Sequence, residues 1–422
     1  FALTESMPSA FVEGTVNVIT GNHYVFEEEI TVQGAFPLRI PRIYISGCGD
    51  TTFSGWQLFP HLFAGISAEY RNEDSGYWKI LVREPNGTPL EFEYDAGRPR
   101  KGRPHIFKLK VDDCRKGLTN MGRGQISGRT NLKNIRIELA YDHKSFIAYT
   151  PDGSIRFYKK ITVEEGDGVP KDYLQRWVEK VYLLQWEQLP NQSKICYGYD
   201  KHHRVNVIRT TTLDTQKTFA SATFHYHSDK LNKNRHFDIT TSDGRTLYYR
   251  FDPKKGNFLL NHVNTPAFPQ EVLTYHDTVK RFGMTWGFVL NKRTIAPDRY
   301  YSLDYYWQGK NKVGNKKINI DWEDPRWLRV KTLSRPVGED NAPHITHTFF
   351  YDTVKRETLV RDIDNILTKY RYSTNYRIEE IQYYGVGDQL HHSEKFVWGE
   401  NGLLAANLLC HTFFDHQNNP VF

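Results

Sequence analysis

The sequence has few of the features that mark metal sites or membrane spans. Its four cysteines, Cys48, Cys114, Cys196 and Cys410, are far apart. They form no Cys-x-x-Cys pair and have no histidine at zinc-ligand spacing, which argues against a zinc ribbon. No stretch approaches the ~20 apolar residues that a membrane-spanning helix needs. The sequence therefore predicts no metal, no cofactor and no membrane span.

Motifs of catalysis are also lacking. There is no G-x-S-x-G elbow, no phosphate-binding loop and no H-E-x-x-H pair. The pairs His202-His203 and His391-His392 have no carboxylate at a recognised metal-ligand spacing. An acidic run such as residues 27–29 puts adjacent carboxylates on opposite faces of a strand, which suits a solvated edge better than a glycosidase pair. The sequence predicts that the protein is not an enzyme, and an acid pair formed only in the fold is the minor alternative.

Methionine is scarce, whereas aromatic residues are abundant. The chain has 3 Met against 26 Tyr, 25 Phe and 9 Trp. Flat rings favour the half-buried surface of a pleated sheet, so an aromatic β-core is expected.

The net charge of +7 is spread along the chain. The densest basic stretch, residues 98–103, contains Pro and Gly and is typical of a solvated loop, so no nucleic-acid partner is predicted.

Strand and turn signals alternate along the chain. Leu38–Ile45 and residues 135–139 place side chains alternately on two faces, as strands require. Asp152-Gly153, Asp243-Gly244, Pro190-Asn191 and Asp364-Asn365 supply the turn chemistry of tight hairpins. The predicted fold class is all-β, with antiparallel β-hairpin repeats wound as a curved or spiral sheet.

Residues 173–186 support two interpretations. The spacing of Tyr173, Trp177 and Val181 fits an amphipathic helix, whereas Tyr182, Leu184 and Trp186 alternate as in a strand. A strand is favoured because its β-rich neighbours need a partner ladder, and a short helix is the alternative.

No Pro- or Ser-rich linker divides the chain, so only a coarse division is predicted. Residues 1–15 are expected to be a flexible N-terminal tail, and Phe1-Ala2 suggests a signal-peptide remnant and an exported protein. Residues 16–149 form an N-terminal β region. Residues 150–422 form a region of degenerate repeats, with the boundary after Tyr149.

A short motif recurs along the chain. Residues 275–281 read Y-H-D-T-V-K-R, and residues 351–356 read Y-D-T-V-K-R. Recurrence of a small unit predicts an array that buries its core by stacking neighbours. Its rings contribute ~0.2–1 kcal/mol per cross-strand pair, and its aspartates accept backbone N–H bonds in turns. The predicted structural repeat residues are Tyr199, Asp200, Phe251, Asp252, Tyr275, Asp277, Tyr351, Asp352, Tyr370 and Tyr372.

Three segments near the start resemble the opening of Rhs and YD-repeat proteins. They are V-N-V-I-T-G at 16–21, P-L-R-I-P-R-I-Y-I-S at 37–46 and G-W at 55–56. The later units at 197–200, 349–352 and 369–372 resemble the Y-x-Y-D repeat. Departures from the pattern occur at 223–227 and 303–307, where the aspartate or the turn glycine is lost.

The resemblance implies a long β-ribbon wound in a spiral into a hollow shell. Such a shell, in an exported protein, would enclose a polypeptide cargo such as a toxin, or mediate cell-surface contact. The implied partner is the cargo or a downstream part of the same protein. The sequence shows no self-cleavage core of the kind found in the toxin members and no effector tail after residues 418–420. The chain is therefore expected to be the front part of a shell.

A carbohydrate-binding β-repeat module is the alternative function. Exposed rings would stack on the apolar faces of sugars in a cell-surface glycan. The candidate rings are Tyr305, Tyr306, Trp307, Trp322 and Trp327. The competing interpretation is that these rings are buried against the next strand.

Overall fold

The computed structural model describes residues 10–46, 55–69, 77–85, 89–94, 102–109, 136–150, 153–163, 178–227, 236–254, 257–266, 270–277, 280–281, 284–285, 288–307, 309–313, 316–321, 324–338, 342–374, 376–399 and 408–421. These residues form an all-β structure, as predicted. Short 3-10 turns lie at Pro60–Leu62 and Val386–Asp388. Within these ranges, no helix has the length and apolar character needed to cross a bilayer.

The strands fall into three groups along the chain. The first group is β1 (Phe11–Val12), β2 (Val16–Asn17), β3 (Tyr24–Val32), β4 (Leu38–Ile45) and β5 (Trp56–Leu58). The second is β6 (Phe63–Glu69), β7 (Tyr77–Arg83), β8 (Pro89–Tyr94), β9 (His105–Leu109), β10 (Arg136–Leu139), β11 (Ser145–Tyr149), β12 (Ile155–Ile161) and β13 (Val178–Gln188). The third is β14 (Lys194–Tyr199), β15 (Val205–Thr211), β16 (Thr218–Tyr226), β17 (His236–Thr241), β18 (Thr246–Lys254), β19 (Asn257–Asn264), β20 (Glu271–Asp277), β21 (Lys280–Arg281), β22 (Met284–Thr285), β23 (Phe288–Ala296), β24 (Arg299–Tyr305), β25 (Gly309–Val313), β26 (Lys316–Ile320), β27 (Val330–Pro336), β28 (Pro343–Asp352), β29 (Glu357–Asp362), β30 (Leu367–Tyr372), β31 (Ile378–Tyr384), β32 (Leu390–Trp398) and β33 (Leu408–Asp415).

Strands β6 to β13 form a closed ring. Each strand pairs antiparallel with the next, and β13 returns to pair with β6, where Tyr182 lies opposite Ala64. One face of the ring strands is buried and aromatic, with Phe92, Phe107 and Phe146 at 2%, 0% and 1% exposure. Such alternation follows from the period of two along a strand. The domain boundary predicted after Tyr149 falls between β11 and β12, two paired strands of this ring.

The sheet continues from the ring as a long meander. The last residues of β13 pair with β14, and each later strand pairs antiparallel with its predecessor through β20, β23, β24 and β27 to β33. Two separate hairpins, β21–β22 and β25–β26, lie between consecutive sheet strands. Residues 178–186 are therefore strand, as favoured from the sequence. The helix alternative is wrong there, and residues 173–177 lie outside the described residues.

One five-residue turn recurs between the strands. The N–H of its first residue donates to the carbonyl of the fifth, and the N–H of the fourth donates to the carbonyl of the first. The fourth residue has a left-handed backbone, a combination typical of hairpins with a type I turn and a bulge. The copies with all five residues described are 189–193, 200–204, 241–245, 362–366 and 415–419, and the same pair of bonds also joins Thr150 with Gly153 and Ser154, and Ser373 with Tyr376 and Arg377. The turns predicted at Pro190-Asn191, Asp243-Gly244 and Asp364-Asn365 are among them.

The first group of strands packs against the meander. We call residues 10–46 and 55–62 the N-terminal lining. Its apolar side chains share one core cluster with β14 to β23 and a second with β23 to β32. Ala10 is fully buried, and β1 pairs with β2. Within the tail expected over residues 1–15, Val12 is also buried, whereas Glu13 and Gly14 are exposed. Residues 1–9 lie outside the described residues.

Candidate functional site: the inner face of the sheet

The inner face, which we define as the face of the meander that contacts the N-terminal lining, can be followed from strand to strand. Opposed residues of antiparallel strands point to the same face. Ladder pairs join one row of residues: Tyr351, Thr358, Tyr370, Ile381, Glu394 and Phe413. Tyr351 and Thr358 are 1% and 0% exposed, whereas Glu394 and Phe413 are only half-buried. The inner face thus passes from covered to partly open along the meander.

The strands of the ring and the meander that contact the lining, which we call the wall, hold it through its backbone carbonyls. At five points a side chain or backbone amide of β12, β18, β27, β29 or an adjoining turn donates a hydrogen bond to a lining carbonyl. These donors and acceptors are Thr358 to Val18, Arg329 to Ile19, Val330 to Gly21, Arg245 to Thr31 and Tyr158 to His61. The Val330, Arg245 and Tyr158 bonds measure 2.8, 2.7 and 2.8 Å. Thr31 lies in a strand, Val18 and Ile19 lie in a turn and His61 lies in a 3-10 turn, so these contacts use backbone carbonyls and not particular side chains of the lining.

The local geometry of the lining explains two residues of its V-N-V-I-T-G segment, Asn17 and Gly21. The Asn17 side-chain oxygen accepts bonds from the N–H groups of Ile19 and Thr20 at 2.9 and 3.0 Å. Gly21 has a φ of 70°, and a Cβ there would lie 2.5 Å from the Cβ of Arg329. Only glycine suits that position, since both the left-handed backbone and the close approach exclude a side chain.

A chain of alternating charges fastens the lining to the wall. Arg42 on β4 bonds Glu29 on β3 and Glu271 on β20. Arg293 on β23 bonds Glu271 and Glu27, both at 2.6 Å. Burial opposes the charge on Arg42, but the carboxylates of Glu29 and Glu271 outweigh it and raise the pKa of Arg42. Paired in this way, the charges can remain ionised without contact with water.

Four tyrosines repeat one hydrogen bond along the sheet. Each hydroxyl donates to a carbonyl on the preceding paired strand: Tyr199 to Leu184, Tyr275 to Leu260, Tyr305 to Leu290 and Tyr351 to Val330. Burial raises the pKa of all four phenols well above the ordinary value, so they remain protonated donors.

The four accepting residues also share a position relative to β-bulges. Each lies opposite an aromatic residue of the strand before it, directly beside a register shift. The opposed pairs are Tyr158 with Leu184, Phe251 with Leu260, Tyr275 with Leu290 and Tyr305 with Val330. A bulge bends its strand and increases the local twist. The repeated aromatic unit therefore positions bends at regular places in the ribbon.

The aspartates predicted to close turns take different positions. Asp200 accepts bonds from the N–H groups of His202 and Arg204 at 2.9 and 3.0 Å. Asp352 accepts one from Lys355 at 2.9 Å. Asp252 differs from the expectation, because it lies within β18 and accepts its bond from the Asn261 side chain. Asp277 likewise lies within β20, and its side chain is outside the described residues.

The repeat aromatics that complete the predicted set are mostly buried. Phe251 and Tyr372 are 3% and 4% exposed, and Tyr370 is half-buried. Together with the four bonded tyrosines, they belong to the two core clusters or pack against them.

Two of the five rings predicted to stack on sugars are buried. Tyr305 and Tyr306 are fully buried, and their hydroxyls donate to the Leu290 and Phe349 carbonyls, both at 2.7 Å. Sugar stacking by these two residues is therefore wrong. Trp307 is half-buried and donates to Asp304 at 3.0 Å. Trp327 is half-buried against the core, and Trp322 lies outside the described residues.

Sequence reasoning missed the buried charge chain. The available signal was a charged residue inside an otherwise apolar strand, since Arg42 lies between Ile40 and Ile43. Charged side chains are almost never fully buried unless they are paired. The partner Glu271 is 229 residues away, so its identity required the fold.

Comparison with known proteins gives only distant similarities. No family model matches the sequence, and no curated protein matches it. The structure of TcdB2-TccC3 is 11% identical with a TM-score of 0.34, covering 96% of this chain and 22% of that chain. This chain therefore spans about a fifth of its length. The N-terminal domain of effector protein SpvB from Salmonella typhimurium strain LT2 is 12% identical with a TM-score of 0.28, covering 67% of this chain and 94% of that chain. These TM-scores are too low to assign a family.

Proposed function

We propose that the chain is part of the wall of an exported Rhs/YD-repeat-type shell that encloses a polypeptide cargo. Its role is structural, without catalysis. The supporting observation is that the inner face, which holds a turn of its own chain through the backbone carbonyls of Val18, Ile19 and Gly21 at β27 to β29, continues beyond the lining to β33. The bound partner is a cargo polypeptide or a downstream part of the same protein. Contact with another cell surface is the other role that the sequence resemblance implies.

The open end of the inner face has the chemistry that an extended polypeptide needs. The rings of Tyr383 and His392 stack with centroids 4.4 Å apart. His411 stacks on Phe396 at 4.5 Å and contacts Phe413 at 4.5 Å. Phe396 is buried, but the other four rings are half-buried or exposed and offer apolar contact to side chains of any sequence.

Photo-crosslinking from neighbouring positions of β33 tests the proposal. Phe413 lies opposite Glu394 on the inner face, whereas Phe414 lies opposite Ser393 on the other face. A benzophenone amino acid is placed at either position, and the protein is mixed with a reduced, carboxymethylated polypeptide that cannot fold. We expect crosslinks from position 413 and few from position 414. Equal yields from both positions would contradict an inner-face binding role.

Carbohydrate binding has less support, because two of its five candidate rings are buried. Replacing Trp307 by alanine tests what remains of it. Glycan-array binding that disappears with this change would favour the carbohydrate module over the shell wall.

A further inference from the structure

Two histidines of the N-terminal lining are buried beside arginines of the wall. His23 and His61 are 0% and 4% exposed. His23 lies near Arg293 of β23, and His61 lies near Arg156 of β12. Both histidines are on the lining, and both arginines are on the strands that it covers. The same arrangement therefore occurs at two separated points of one interface.

Among the described residues, the nearby carboxylates on the strands around His23 are already bonded to arginines. Its imidazole ring packs between Tyr44 of β4 and Tyr301 of β24, with centroid distances of 5.5 and 5.3 Å. Arg293 faces it from β23, and the nearby carboxylates Glu27 and Glu271 are already bonded to Arg293. Neither ring nitrogen of His23 has a hydrogen-bond partner within the described residues. Burial, with a contribution from Arg293, lowers the pKa of His23 to about 3.

His61 has comparable surroundings at the other end of the lining. Its Nε2 atom lies 3.1 Å from the Tyr197 hydroxyl on β14, and its carbonyl accepts a bond from Tyr158 of β12. Arg156 faces it and is bonded to Glu187 of β13 and to Glu84. Burial and the Arg156 charge lower the pKa of His61 well below the ordinary value.

We propose that the N-terminal lining is an acid-released latch, in which His23 and His61 take up protons when the lining separates from the wall. A proton on either ring while the lining is closed would place a second cation beside a buried arginine. Once the lining opens, each ring reaches water and can be protonated freely. This inference concerns the lining alone and does not depend on the function of the shell.

The sign of the pH dependence follows from proton linkage. Both histidines have lowered pKa values in the closed state, so their stabilising effect is fully present above the ordinary value of about 6.5. It is lost as the pH falls through 6.5 towards the closed-state value. At pH 5, each histidine favours the open state by about 30-fold relative to neutral pH.

Hydrogen exchange read by mass spectrometry tests the latch on the whole chain. Exchange of residues 22–46 is compared with that of residues 357–384, which contain no histidine. After correction for intrinsic rates, protection of the lining should fall by about 30-fold or more between pH 7.5 and pH 5. Protection of residues 357–384 should change much less. Equal loss of protection in both regions, or no loss in the lining, would overturn the proposal.

Variants assign the effect to the two histidines. Phenylalanine at position 23 fits between the Tyr44 and Tyr301 rings and cannot be protonated. Glutamine at position 61 retains a polar group for the Tyr197 hydroxyl. H23F should remove about 30-fold of the pH effect, and H23F/H61Q should remove most of it. The exposed His225 provides the control H225Q, which should behave as wild type.

If the double variant does not fold, the H23F variant and the pH dependence of lining opening in the wild-type protein still test the proposal. Between pH 6 and pH 5, opening of the wild-type lining should take up between one and two protons. The latch is refuted if lining opening in the wild-type protein takes up almost no protons, or if the H23F protein has the wild-type pH dependence.

Discussion

At the residue scale, the stability of the interface between lining and wall depends on paired charges inside an aromatic core. Arg42 is the centre of this arrangement, because it bonds Glu29 and Glu271 and its guanidinium lies 4.2 Å from the Trp56 ring centroid. Removing one member of such a chain leaves its partners charged and without water. The cost therefore exceeds that of losing a surface pair.

Two arginines on β4 allow a matched test of this difference. Arg42→Ala should lower the free energy of unfolding by about 3–5 kcal/mol, since the buried Glu29 loses its arginine and the buried Glu271 keeps only Arg293. Arg39 pairs with Glu28, and their side chains are 53% and 26% exposed. Arg39→Ala should cost less than about 1 kcal/mol. Urea unfolding followed by tryptophan fluorescence measures both values, and similar losses would contradict the assigned role of Arg42.

The repeated tyrosine bond gives a second prediction at this scale. Tyr305→Phe removes the donor to the Leu290 carbonyl and should destabilise the protein by about 1–2 kcal/mol. Tyr248→Phe is the control, because Tyr248 is half-buried on the face opposite to the buried Tyr249. The control should change stability by less than about 0.5 kcal/mol. Equal effects in urea unfolding would show that the Tyr305 hydroxyl has no special role.

At the element scale, the five-residue turn determines where each hairpin reverses. Its fourth position has a left-handed backbone whether glycine occupies it or not: φ is 84° at Gly244 and 65° at Gln192. Non-glycine residues adopt this conformation at a cost of roughly 1–2 kcal/mol. The same turn therefore carries strain in some copies and not in others.

Opposite substitutions at this position should have opposite effects. Gln192→Gly should stabilise the protein by up to about 1 kcal/mol, because the left-handed strain disappears. Gly244→Ala should destabilise it by about 1 kcal/mol. A Cβ at Gly244 would meet no atom within 4 Å, so this loss reports the backbone alone. Thermal unfolding of both variants checks the signs, and a shift in the same direction for both would contradict the shared turn geometry.

At the scale of the whole molecule, the ring, the meander and the lining depend on one another. The ring closes where β13 pairs with β6, and the same strand begins the meander through β14. The lining then joins distant strands of the meander, as Thr358 is bonded to Val18 across 340 residues of sequence. Contacts of such long range predict cooperative unfolding of lining and wall at neutral pH.

A disulfide between lining and wall tests this arrangement. A Cβ built at Gly34 lies 3.3 Å from the Cβ of Phe219, close to the separation found in disulfides. The double variant Gly34→Cys/Phe219→Cys should form a bond that peptide mapping detects, and it should raise the melting temperature until a reductant is added. Each single-cysteine variant is a control. No crosslink under oxidising conditions would mean that the lining does not lie on β16 as described.

The features of this fold differ in how far the sequence predicts them. The alternation of Leu38–Ile45 and the turn residues Asp243-Gly244 specified strands and hairpins, because side-chain period and backbone φ are local properties. The Tyr305-Tyr306 pair was misassigned to a binding surface. Whether a ring faces solvent or the next strand is decided by neighbours distant in sequence.

The sequence alone determined that this chain is an all-β array of aromatic hairpins, since propensity, alternation and turn chemistry act within a few residues. Only the tertiary structure decided that β13 closes a ring and that the N-terminal residues line one face. It also decided which charges are buried in pairs. These outcomes depend on contacts between residues hundreds of positions apart, where the energy comes from burial of facing surfaces and not from local preference.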